Sequence, residues 1–141
     1  MDKYKQYEKK CDAIRKSNEI LLTEFDAWLK SSGLTEKTID KHLSNIDFYI
    51  NVYLLYEEAI EAKDGIGSVS MFLGYWFIRK AMASQASIKS SAASIKKFYG
   101  FLVEKGLVDK NDLAELEVLI KVQMKEWVRA INRYDSVSDD Y

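Results

Sequence analysis

A chain of 141 residues without one proline has no obligatory break in a helix anywhere along its length. Its six glycines fall mostly where apolar-periodic runs stop, and Ala, Leu, Lys and Glu, all strong helix formers, fill the runs between them. No segment alternates apolar and polar residues convincingly, as a half-buried strand must. The expected fold is therefore all-α, a compact bundle of four core helices plus a long C-terminal helix. The length predicts one domain, 1–141, and three Trp, nine Tyr and six Phe give it enough apolar bulk to fold around.

The first helix is expected over about 3–32, with a bend near Ser17 and Asn18. Leu21, Leu22, Phe25, Trp28 and Leu29 form its apolar stripe, and Gly33 ends it as a C-terminal cap. The polar stretch before Ser17, with Lys3, Lys5, Lys9, Lys10, Arg15 and Lys16, reads as a solvated extension. Thr35 is placed to cap a second helix, with Glu36 in the first turn where a carboxylate favours the dipole. Ile39, Leu43, Ile46, Ile50 and Tyr53 carry that helix to about Glu61, and KDGIGS (63–68) reads as a loop.

A third helix, from Ser68 or Ser70, holds Met71, Phe72, Leu73, Tyr75, Trp76, Phe77 and Ile78. It is apolar on every side, the pattern of a helix surrounded by others, and Gly74 leaves room for a neighbour to come close. Ile88, Ala92, Ile95, Tyr99 and Leu102 define a fourth helix that stops at Gly106. A fifth begins after Asp109 and carries Leu113, Leu116, Ile120, Met124, Trp127 and Ile131 to about Tyr134. The tail DSVSDDY lacks periodicity and is expected to fray.

Catalytic chemistry finds little to stand on. One histidine and one cysteine make a poor start for a metal site. His42 lies among Lys41, Ser44 and Asn45 and reads as a polar surface residue rather than a general base. The GIG at 65–67 lacks both the preceding strand and the following lysine of a phosphate loop. No enzyme activity, metal, cofactor or small-molecule substrate is expected. A lone Cys11 forms no internal disulfide and suits a reducing compartment. No signal-like segment opens the chain, and MFLGYWFI (71–78) is too short to span a bilayer. These features predict a cytoplasmic protein without a membrane partner.

Two segments share a helix-start pattern. Residues 35–49 read TEKTIDKHLSNIDFY and residues 86–102 read ASIKSSAASIKKFYGFL. Each opens on small hydroxyl residues and a lysine, runs through an apolar stripe and reaches a Phe-Tyr pair. Together with LLTEFDAWLKSSGL before the first, and EKGL (104–107) after the second, they make residues 20–108 resemble the N-terminal core-binding domain of the tyrosine recombinases, the phage integrase family. The resemblance covers about two-thirds of the chain. Asn-Pro, which usually follows the family's glycine, is replaced by Lys110-Asn111-Asp112, and a long amphipathic helix follows. Arg129, Arg133, Tyr134 and Tyr141 do not reproduce the family's catalytic spacing. The resemblance thus implies a DNA-binding fold of the recombination and integration type without strand cleavage.

In that family the domain forms half of a clamp around duplex DNA, with helix starts facing phosphates. Carried over by position, this implies DNA contacts from Thr35, Lys37, Thr38, Lys41 and His42, and from Lys89, Ser90, Ser91, Ser94 and Lys97. Short hydroxyls and helix N-terminal amides donate to phosphate oxygens, and lysines supply charge. The same hydroxyls, Thr35 and Ser87 among them, can equally be helix caps.

Charge distinguishes the two copies. Residues 84–106 hold Lys89, Lys96, Lys97 and Lys105 against Glu104 alone, whereas residues 33–67 set three lysines against seven acids. A net charge of −1 is low for a dedicated DNA binder. The competing expectation is a protein-interaction or structural module whose last helix packs on a partner, a catalytic protein or its own copy, or simply folds back on the bundle.

Overall fold

The computed structural model describes residues 2–80 and 83–139, with the backbone alone at 80 and 135–139. Every regular element among the described residues is helical. They gather into two compact units, Met1–Gly65 and Ile66–Tyr141, where the length suggested one domain.

The first unit is built on α1 (Lys3–Ser31) and α2 (Glu36–Phe48). Asp2 caps α1 by accepting from the Tyr4 amide at 3.1 Å. Cys11, Ile14, Asn18, Phe25 and Leu29 bury one continuous face at spacings of three, four and seven. Where a bend was expected, at Ser17 and Asn18, α1 continues as one unbroken helix. Asn18 instead points inward, its Nδ2 donating to the Ile50 carbonyl at 3.3 Å and to Asn51 Oδ1 at 2.7 Å.

Nor is the stretch before Ser17 merely solvated. Cys11 and Ile14 pack with Leu55, joined by Tyr7 and Ala59. The Tyr7 hydroxyl donates to the carbonyls of Leu55 and, at 3.2 Å, of Tyr56. This anchoring lies just past the point where the second helix stops. It passes from α2 into one π-helical turn, Tyr49–Tyr53, and ends about eight residues before Glu61. Just beyond that end, the carbonyls of Leu55 and Tyr56 accept from a tyrosine 48 and 49 residues away. The π turn also shifts the hydrogen-bond register, with the Leu54 amide reaching back to the Tyr49 carbonyl. The stretch 63–68, expected as a loop, falls in two short 3₁₀ turns, Ala62–Asp64 and Ile66–Ser68, and Tyr49 Oη donates to the Gly65 carbonyl at 2.6 Å.

In the second unit a helical run begins with α3 (Val69–Met71), passes through a π turn at Phe72–Trp76 and ends in α4 (Phe77–Lys80). Phe72, Leu73, Phe77 and Ile78 are buried, but Met71 and Tyr75 are 59% and 54% exposed. The run is therefore not enclosed on all sides as its composition suggested. Gly74 meets its expectation: a Cβ there would lie 2.5 Å from Trp127 Nε1.

Next come α5 (Gln85–Glu104) and α6 (Lys110–Asp139). Ile88, Ala92, Ile95, Tyr99 and Leu102 are all buried, as their spacing predicts. Glycine at φ +78° places Gly106 in the left-handed region, and the Leu107 and Gly106 amides return to the carbonyls of Leu102 and Val103. This paired closure satisfies the last free carbonyls of α5 and is the reason a glycine stands there. Asp109 then opens α6, its carboxylate accepting from the Asn111 amide at 2.7 Å. Leu116, Ile120, Trp127 and Ile131 are buried, and α6 packs on α5, on α4 and on the Phe72–Trp76 turn. The long helix thus folds back to complete its own unit. It runs five residues past Tyr134 to Asp139, where a frayed tail was expected; Asp140 and Tyr141 lie outside the described residues.

Candidate nucleic-acid interface

The ten residues implied by the integrase resemblance divide between the two units, five in each. In the first, Thr35 caps α2: its Oγ1 accepts from the Thr38 amide at 3.3 Å and donates to the Thr38 hydroxyl at 2.9 Å. Both hydroxyls are exposed yet already committed to each other. Lys37 and Lys41 are exposed on the same helix. His42 is not where the sequence reading put it. It is buried on the inner face of α2 beside Ile39 and Ile46 in sequence spacing, so it is withdrawn from any surface contact.

Electrostatics beside this first start are unfavourable to phosphate. A cleft of about 530 Å³ is lined by Asp26, Lys30, Leu34, Glu36, Ile39 and Asp40. Of its three carboxylates, Asp26 is partnered by Lys30 at 3.4 Å. The first unit as a whole sets ten basic side chains against thirteen acidic ones.

The second unit reverses that balance, with eleven basic against nine acidic residues. Its α5 begins one turn earlier than Ser87 suggested. Ser84 is the cap, its Oγ accepting from the Ser87 amide at 3.0 Å while Ser87 Oγ accepts from the Ser84 amide at 2.7 Å. The two serines satisfy each other in a capping box. Beyond it, α5 sorts its polar residues by face. Lys89, Lys96 and Lys97 are exposed, whereas Ser91 and Ser94 are buried and Ser90 is half-buried. The Ser94 hydroxyl donates back to the Ser90 carbonyl at 3.1 Å, the usual fate of a serine inside a helix. Ser91 and Ser94 are therefore corrected from contact residues to interior ones.

What remains outward on α5 is a lysine face with small residues between. Lys89 and Lys96 lie two turns apart, about 10 Å along the axis. Half-buried Ala93 separates them, and a side chain built at Gly100 would meet nothing within 4 Å. No Asp or Glu occurs anywhere in residues 65–103, which hold Arg79, Lys80, Lys89, Lys96 and Lys97. Arg79 and Tyr75 belong to this set and were not singled out by sequence. The guanidinium carbon sits 4.1 Å from the Tyr75 ring centroid, and both residues are exposed. Their spacing of four on a helix was the available signal, masked by the surrounding apolar run.

Among the described residues no group of three or more His, Cys, Asp or Glu is placed to hold a metal ion, and no helix is long and apolar enough to cross a membrane. Comparison with protein-family models, with curated proteins and with solved structures finds no match to this chain.

Proposed function

We propose that the chain is a non-catalytic DNA-binding module, resembling the core-binding domain of a phage integrase in role and gripping duplex DNA mainly through phosphates. The observation that carries this reading is the acid-free run of residues 65–103, whose Lys89, Lys96 and Lys97 all stand outward on α5. A cationic face with no carboxylate beside it on its own helix until Glu104 attracts a polyanion without internal competition.

The gripping residues narrow accordingly to Lys89, Lys96 and Lys97, with Lys37, Lys41, Thr35 and Thr38 as weaker contributors beside acids. Binding is expected to be weakly sequence-selective, because no arginine stands at either helix start to read guanine edges. Anisotropy titration of a labelled duplex at low and moderate salt tests the reading. Wild-type protein binds at low salt and loses affinity as salt rises. Lys89→Glu with Lys97→Glu abolishes binding while the far-ultraviolet dichroism stays helical. Absence of wild-type binding at low salt would sink the proposal.

A further inference from the structure

The lysine face of α5 leaves a second set of cations unused. Lys121, Lys125, Arg129 and Arg133 follow one another at intervals of four along α6, and all four are exposed. Residues four apart share a helix face, so these form a single file about 18 Å long. Glu126 is the sole acid between Val118 and Tyr134. It is paired with Arg133 at 3.1 Å and Arg129 at 3.6 Å, while Lys121 and Lys125 make no ion pair among the described residues. Val118 and Val122, the latter 71% exposed, lie on the same outer side.

Pairing with Glu126 accounts for Arg129 and Arg133 but not for Lys121 and Lys125. The α6 acids Asp112, Glu115 and Glu117 sit in the first turns, where the dipole favours them. Lys121 and Lys125 are mid-helix, more than three turns from the end at Asp139 and out of reach of its dipole. The buried stripe of Leu116, Ile120, Trp127 and Ile131 occupies the opposite face, so the cations are not stems covering the core.

We infer that the outer face of α6 is a second phosphate-binding surface, with Lys121 and Lys125 as its principal contacts and Arg129 as a third. The inference rests on the DNA reading above. Even spacing favours a nucleic-acid backbone over an acidic polypeptide. A strand of duplex DNA carries a phosphate about every 3.4 Å of axis, so a file of cations that winds by about a third of a turn over its length still finds several within reach. Contacts of this kind position the protein and carry no sequence information.

The slope of log affinity against log salt, measured with a labelled duplex, counts such contacts at about 0.9 each. Lys121→Gln with Lys125→Gln is expected to make that slope shallower by about 1.8 while leaving helicity intact, since glutamine is as good a helix former as lysine. Lys110→Gln, on the same helix but outside the file, leaves the slope unchanged. A wild-type slope in the double variant overturns this inference and leaves the α5 reading standing. Failure of wild-type protein to bind at low salt overturns both. Displacement of the duplex by poly-glutamate as readily as by unlabelled DNA assigns the file to an acidic polypeptide and also overturns it.

Discussion

Tyr7 ties the start of α1 to a segment 48 residues away through the hydrogen bonds of its hydroxyl. Burial holds its phenol above the ordinary tyrosine range, with the nearby Cys11 adding to the shift. The neutral form is the one that donates to Leu55 and Tyr56. Its stabilisation is therefore complete below the unfolded value of about 10 and is lost as pH rises through the higher folded one. Tyr7→Phe should cost about 1 kcal/mol at pH 8. In urea titrations the gap between wild type and variant should hold below about pH 10 and narrow as pH rises beyond it; a constant gap would place the effect in packing instead. Gly74 offers a second residue-scale test. A methyl group there would sit 2.5 Å from Trp127 Nε1 and 2.9 Å from Cδ1, against a ring that is itself buried. Gly74→Ala should destabilise by about 1–3 kcal/mol from overpacking, partly offset by better helix propensity. In a Trp127→Ala background the same change should become neutral or stabilising.

At the scale of elements, what could be read from sequence was whatever is determined within a few residues. Gly33 and Gly106 both adopt positive φ at helix ends, and Thr35 caps α2, because each needs only its own turn to act. Ser84 and Ser87 were harder to separate, since a reciprocal pair of serines three apart gives each the look of a cap. The end of α2 was not legible at all. The chain beyond it is tied to Tyr7 across the unit, and no residue near Tyr53 announces the stop. The face of α5 was legible but overlooked. Ser91 lies three residues after Ile88, and Ser94 four before the next buried turn begins at Phe98–Leu102, so period alone brings both near the inner stripe. His42 likewise falls three after Ile39 and four before Ile46. Polarity suggested solvent for these three, and helical phase decided otherwise. The lysines of α5 are unaffected by that correction because a long charged side chain has nowhere to go but outward.

For the whole molecule, near-neutral net charge conceals an acidic first unit and a basic second one. A polyanion distinguishes them by field before it meets any particular side chain, because repulsion by Asp26, Glu36 and Asp40 works against Lys37 and Lys41. On the proposed reading, the two halves of the repeated helix-start pattern are unequal in what they offer a polyanion. Hydrogen exchange with and without duplex separates them directly. Bound DNA should slow exchange most over α5 and the 118–133 part of α6, whose exposed faces carry the cations, and distinctly less over α2 from Glu36 to Phe48. Equal protection of α2 would mean that Lys37 and Lys41 overcome the carboxylates around them. In that case replacing Glu36 and Asp40 by Gln and Asn should raise affinity at low salt, and the gain should fade as salt screens the removed repulsion.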